Sequence, residues 1–459
     1  MRTPALTILS LILVSTILLQ PFVNLSPNTQ YSTEASVAEI PLAEVWNHTY
    51  GGTEMDEAWS MVQCQGGGFA LAGTTNSTGA GDVDAWLVRT DPAGNHLWNQ
   101  TYGGSAQDDV YSIVECTGGG FALLGTSYTY DNPPNFSDLW LIRTDTQGNM
   151  LWNKTFGTGN GDYGSSLVEC GTTGFALAGY TLSYGNGGDL WLVRTDAAGN
   201  HLWNRTYGGA LVEKGYYGHI LTRCSDGGFA LTGYSTSFNP TPGGGDFYLV
   251  RTNSSGHMQW NSTFGGVEID RCWSVIETQD GGLIITGMSQ SEISGPGGLW
   301  VVKTDASGTY LWDSNYGLAS GEGCYQILEM PNADLLFAGY TSSYGAGQSD
   351  FWLLRTTSSG SPVWNETYGG GSNEKAHAMV VLGPDDFALA GYTQNWGTLD
   401  FDFFLVRVHI EPPPTTPTTP TTPTTPTIFP TIPGFPILSI LVGIIAAIIF
   451  TNIWRRRKH

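Results

Sequence analysis

Between residues 44 and 410 the apolar positions fall in short runs rich in aromatic and β-branched side chains, each bounded by Gly, Asn or Asp. Short apolar runs with turn residues at both ends predict strands. Four such segments recur in fixed order, and in the first full unit they are AWSMVQC (58–64), GFALAGTT (68–75), DAWLVRTD (84–91) and HLWNQTYGG (96–104). They are named A, B, C and D here. The stretch DLWLVRTDAAGNHLWNRTYGG (189–209), which joins a C to a D, returns about every 52 residues.

The Trp of segment D stands at Trp46, Trp98, Trp152, Trp203, Trp260, Trp312 and Trp364. Segment C ends at Arg89, Arg143, Arg194, Arg251, Lys303, Arg355 and Arg407. The array therefore opens on a D that has no A before it and closes on a C that has no D after it. This predicts an all-β, seven-bladed β-propeller of four-stranded blades over residues 39–410, in which residues 44–52 supply the outer strand of the seventh blade and close the ring.

Antiparallel order places the short A–B and C–D hairpins on one face and the B–C and D–A links on the other. The B–C links differ from blade to blade, as in 126–137 against 180–188. Variable polar loops on a rigid scaffold are where binding resides. The chain leaves the ring from the hairpin face, so the variable face is expected to point away from whatever anchors the chain.

The flanking segments supply that anchor. In residues 1–38, Arg2 precedes the uncharged run Ala5–Val23, which reads as a signal peptide or an N-terminal anchor with a short spacer. Residues 411–433 form a Pro/Thr-rich stalk, and 434–454 are apolar and long enough for one C-terminal transmembrane helix. The tail 455–459, with Arg455 to Lys458, reads as a basic cytoplasmic stop. A cell-membrane protein with an extracellular propeller follows. Asn-x-Ser/Thr sequons agree with export and mark glycosylation candidates: Asn47, Asn99, Asn153, Asn204, Asn261 and Asn365 in strand D, with Asn24, Asn76, Asn135 and Asn253 elsewhere. The six in strand D also fit a repeat that needs Asn at its outer edge.

Composition narrows the partners. The chain has 62 Gly and only 13% charged residues, as many short strands and tight turns require. A net charge of −22 makes nucleic acid and anionic lipid poor partners of the ring and suits cations or basic partners; it also simply keeps a surface protein soluble. The six cysteines lie in register with the repeat, and Cys64 with Cys116, Cys170 with Cys224, and Cys272 with Cys324 are the simplest disulfide candidates. Equivalent residues of neighbouring blades do not face each other, so buried free thiols are the other reading.

A carboxylate opens strand A in all seven blades: Asp56, Asp108, Asp162, Glu213, Asp270, Glu322 and Glu374. A second set precedes strand C at Asp84, Asp138, Asp189, Asp246, Asp350 and Asp402. One reading is an acidic funnel over the channel with hard oxygen ligands for Ca²⁺. The other, which the regular repetition favours, is that each carboxylate accepts from amides of its own turn. The repeat is broken in blade four, where an insertion carries two aromatics and a His, and Glu213, Tyr216, Tyr217 and His219 are the ligand-binding candidates. The basic residue ending strand C is expected to pair with Glu115, Glu169, Glu277 or Glu329. No His-Glu-x-x-His, Gly-x-Ser-x-Gly, Walker loop or zinc-type Cys pair occurs, so no catalytic residue is assigned.

At TDAAGNHLWNRTYGG the chain resembles the propeller repeats of quinoprotein-like proteins, and its GGFALAGYT segments are similar to kelch-like repeats of prokaryotic cell surfaces. Quinone-cofactor dehydrogenases of that type have eight blades and an adjacent Cys-Cys, which this chain lacks, so the resemblance implies the fold and not the activity. The tail from Pro433-Gly434-Phe435 through the apolar run to the basic end is similar to archaeal PGF-type sorting signals, which implies processing by an archaeosortase and lipid attachment; a retained helix fits the same residues. The function these readings favour is recognition or adhesion of an extracellular protein or glycan through the distal acidic face. The alternatives are an exported hydrolase or oxidoreductase and a structural surface-layer component.

Overall fold

A computed structural model describes residues 42–130, 136–215, 217–239, 244–292, 297–318, 321–396 and 400–410. The N-terminal segment, the Pro/Thr stalk, the apolar run 434–454 and the basic tail lie outside these residues. Among the described residues no helix is long and apolar enough to cross a membrane.

Seven antiparallel sheets form the ring, and each holds the segments A, B, C and D as neighbours in that order. In blade two they are Asp108–Glu115, Phe121–Ser127, Asp138–Thr144 and Met150–Phe156. Blade seven is built from both ends of the array: Leu42–Tyr50 pairs with Asp402–Ile410, Asn47 opposite Val406. The ring closes as the count of repeats requires.

Strands B and C are buried on both faces, which is why they read as unbroken apolar runs such as FALLGTS. Strand D is only partly buried, with Met150, Leu151 and Lys154 exposed in blade two. Each core cluster spans two neighbouring blades: Ala70 and Leu87 of blade one pack with Ile113, Leu123 and Trp140 of blade two. At about 1.5–3 kcal/mol per fully buried large apolar side chain, the contact between blades holds the ring, and no blade buries its faces alone.

The repeated Trp and Gly form that joint. Gly148, in the C–D hairpin of blade two, has φ +80°, and a Cβ there would sit 2.5 Å from the Trp98 ring of blade one. The Gly148 carbonyl accepts from Tyr102 Oη at 2.6 Å. Only glycine meets both the backbone and the contact demand. Strand-D asparagines are likewise structural. Asn153 Oδ1 accepts from Trp140 Nε1 at 3.2 Å, and Asn99, Asn204 and Asn365 accept from Trp86, Trp191 and Trp352, each at 3.3 Å. Asn76 stands exposed in a B–C link. Asn24 and Asn135 lie outside the described residues.

Two expectations are corrected. All six cysteines are free and buried, so the pairs between adjacent blades are not formed. Each thiol is enclosed in the packing at its own strand A, and burial pushes Cys64, Cys116, Cys224, Cys272 and Cys324 up to about 12. The basic ends of strand C pair not with the strand-A glutamates but with the A–B hairpin of their own blade. Arg251 meets Asp226, Lys303 meets Asp280 and Arg355 meets Asp334, each at 2.7 Å, and Arg407 meets Asp386 at 2.6 Å. The glutamates reach the preceding blade instead: Glu115 accepts from the Gln65 amide at 2.7 Å, Glu169 from Thr117 at 3.0 Å, Glu277 from Ser225 at 2.6 Å and Glu329 from Gln279 at 2.7 Å.

Candidate functional site

The seven carboxylates that open strand A have no solvent exposure. Asp108 shows why: Oδ2 accepts from the Gly104 amide at 2.9 Å and from Thr129 Oγ1 at 2.6 Å. Asp56, Asp162, Glu213, Asp270 and Glu374 accept from the amide four residues back in the same way, and Glu322 accepts from Ser343 and Thr341. Buried turn amides and hydroxyls need acceptors, and these side chains supply them. They stay one to a blade and do not form an open acidic funnel. Among the described residues no group of three or more His, Cys, Asp or Glu is placed to hold a metal ion.

All but Glu322 adjoin the carboxylate that starts strand C in the preceding blade, across a turn glycine: Asp84 and Asp108 flank Gly103, and Asp246 and Asp270 flank Gly265; before Glu322 that strand starts at Gly298. Burial, reinforced by the neighbouring Asp270, pushes Asp246 up to about 7. Burial also raises Asp84, Asp189 and Asp350.

The channel is lined by the next residues along strand A. A residue is inserted in the A–B pairing between Val110 and Ser112, and the same shift recurs at Ala58/Ser60, Gly164/Ser166, Cys272/Ser274, Cys324/Gln326 and Ala376/Ala378. Strand B passes so close there that a Cβ on Gly125 would lie 1.8 Å from the Asp109 carbonyl. The constant Gly of segment B is thus what lets Asp109 take its place. Bulges of this kind re-aim side chains.

Two tiers result. The first follows the buried carboxylates: Glu57, Asp109, Tyr163, Lys214, Arg271, Gly323 and Lys375. Two carboxylates and three basic groups make it a mixed rim, where the sequence suggested an acidic one. The second tier is aromatic and meets across blades. Trp59 stacks on His377 with ring centroids 4.2 Å apart, Trp273 on Tyr325 at 5.1 Å, and Tyr325 meets His377 edge-on at 4.5 Å.

The blade-four insertion closes this tier. It splits the inner strand into Glu213–Lys214 and Leu221–Arg223. Between them, the Gly215 carbonyl accepts from Ser165 Oγ of blade three at 3.1 Å, and the His219 carbonyl accepts from the Val275 amide of blade five at 3.0 Å. Tyr217 reaches Tyr111 at 4.6 Å and Trp59 at 5.1 Å. Burial pulls His219 down to about 4 and His377 to about 3, so both rings are neutral. Of the four residues proposed for ligand contact, Tyr217 faces open space, Glu213 is a buried turn acceptor, His219 lies in the plug, and Tyr216 is outside the described residues.

Beside Tyr217, at the mouth on the variable face, is a cavity of about 90 Å³ walled by Tyr111, Tyr128, Tyr163, Tyr180 and Tyr217 with Gln107 and Asp109. Asp109 is 6% exposed and accepts from Gln107 Nε2 at 2.8 Å. Burial pushes it up to about 6 against the pull of Gln107 and Tyr111, and burial with Asp109 nearby pushes Glu57 up to about 7 against Lys375. Tyr163 and Tyr180 stack at 4.4 Å, and Lys214 Nζ lies 5.1 Å from the Tyr180 centroid. Sequence reasoning missed Asp109, Tyr128, Tyr163 and Tyr180. For Asp109 and Tyr163 the available signal was a strand-A position that differs in nearly every repeat; Tyr128 and Tyr180 lie outside strand A.

No family model and no curated protein matches the chain. Solved structures similar to it include a protein of unknown function from Dyadobacter fermentans, at 13% identity and TM-score 0.45, covering 81% of this chain and 99% of that one. The Pan2 WD40 domain of Neurospora crassa is similar at 8% identity and TM-score 0.49, covering 81% and 96%. The PQQ-bound aldose sugar dehydrogenase of Streptomyces coelicolor follows at 12% and 0.38, covering 80% and 98%.

Proposed function

We propose that this chain is a membrane-anchored extracellular β-propeller that recognises a ligand at the mouth of its central channel. The observation that carries the reading is the tyrosine-walled cavity beside Asp109, which lies on the face with the variable B–C links. A concave site with aromatic walls and a few polar groups is the usual form of a small-ligand site. Support for the orientation comes from the last described strand, Asp402–Ile410, which runs towards the hairpin face, opposite the cavity. Anchoring through 434–454 is the sequence's own expectation.

Two measurements test the reading. Protease added to intact cells should release the ring, and a protected ring would refute the placement. For the site, binding partners from a ligand screen on the full chain in detergent should lose affinity in Tyr163→Leu; unchanged affinity would move the site elsewhere. One observation favours a second reading as an exported hydrolase: of Glu57 and Asp109, on adjacent blades, Glu57 is pushed up to about 7, where it can hold a proton as general acid, while Asp109, at about 6, ionises first and can serve as base. Turnover of a polysaccharide substrate that disappears in Glu57→Gln would favour it.

A further inference from the structure

The wall of the cavity selects the kind of ligand it can take. Its polar groups are largely engaged with one another. Gln107 donates to Asp109, Ser165 donates to the Gly215 carbonyl, and Thr126 Oγ1 accepts from the Gly164 amide at 3.2 Å. Tyr111 is hydrogen-bonded to Asp109 and Tyr217, and Tyr128 to Tyr163. A polyhydroxylated ligand would need these groups for its own hydroxyls, and removing them from present partners offsets the gain.

What the wall offers instead is tyrosine rings and one carboxylate. Five tyrosines surround the cavity, and Asp109 is the sole charged residue lining it among the described residues. A tyrosine face attracts a cation through its quadrupole, more strongly when the cation is desolvated. The chain's own Lys214 demonstrates this beside Tyr180. Net charge of −22 adds attraction over distance. We infer that the cavity binds the alkylated ammonium head of a small ligand, held between tyrosine rings and the Asp109 carboxylate. A quaternary head makes no hydrogen-bond demand, which suits a wall whose donors and acceptors are already paired. This rests on the mouth being the binding site.

Choline, tetramethylammonium and 3,3-dimethylbutan-1-ol, the neutral isostere of choline, should be titrated into the full chain in detergent by calorimetry. Choline and tetramethylammonium are expected to bind at least tenfold more tightly than the isostere. Asp109→Asn should weaken choline at least tenfold while leaving the isostere unchanged, and Tyr163→Phe should keep choline binding where Tyr163→Leu loses it. An isostere that binds as well as choline, or choline binding indifferent to Asp109→Asn, overturns the ammonium assignment but leaves the mouth as a site. If no probe binds and a broad screen is also insensitive to Tyr163→Leu, both readings fall.

Discussion

The indole of Trp59 lies flat on the imidazole of His377, with ring planes within 3° of each other, and so ties blade one to blade seven inside the channel. His377 Nδ1 is also 2.8 Å from the Ala58 carbonyl. His377→Ala removes the stack and leaves a buried carbonyl without its partner. The expected cost is about 2–4 kcal/mol, measured by urea unfolding followed through tryptophan fluorescence. A loss below about 0.5 kcal/mol would show that the contact contributes little.

The pair Asp246 and Asp270 gives a stability change with a defined sign in pH. Burial and its neighbour raise Asp246 to about 7, above the ordinary carboxylate value, so the folded chain holds that proton more tightly than the unfolded one. Its contribution is complete below the ordinary value near 3.8 and is lost as pH rises through 7. Asp246→Asn keeps an acceptor for Asn239 without the charge. It should melt higher than the parent at pH 8, by roughly 1–3 °C, and match it at pH 4. The same offset at both pH values would contradict the shift.

Two glycines of similar backbone separate conformational strain from packing. Gly281 has φ +78° and open space where a Cβ would go, whereas Gly148 has φ +80° and Trp98 at 2.5 Å. Gly281→Ala should cost about 1 kcal/mol, from the left-handed backbone alone. Gly148→Ala should cost about 3 kcal/mol or more and shift the tryptophan emission. Equal costs would mean that the indole yields freely.

The thiols offer a direct chemical check. All six are buried and free, and burial raises their pKa values. A thiol reagent at pH 8 should label none in the native chain within minutes and all six after denaturation without reductant. Fewer than six labelled after denaturation would reveal disulfides.

The ring was legible because its joint is repeated: the Trp98 and Gly148 pattern comes back at six joints, from Trp46 with Gly94 to Trp312 with Gly360, and each copy must satisfy the same contact between blades. Direction was legible too, since hairpin length separates the two faces. The candidate site was legible only in part: the constancy of Asp108 and its equivalents favours a buried turn and marks nothing beside it. Asp109, one residue further on, faces the channel and differs from Glu57, Tyr163 and Lys214 at the same position. Tyr217 was found because an insertion marks it. Tyr163 and Tyr180 carry no such mark, and only the pairing of strands A and B brings them side by side.

The seventh sheet joins Leu42–Tyr50 to Asp402–Ile410, so its edge strand is made early and its partner almost last. During synthesis the first strand must wait, unpaired, for more than 350 residues to follow it, and an exposed strand edge invites wrong partners. Joining ends so far apart makes completion of the ring a late, entropically costly step, while reopening it requires breaking a whole ladder. A chain interrupted between residues 369 and 401 would keep six potential sheets and lose the seam, leaving it vulnerable to proteolysis from both ends at once.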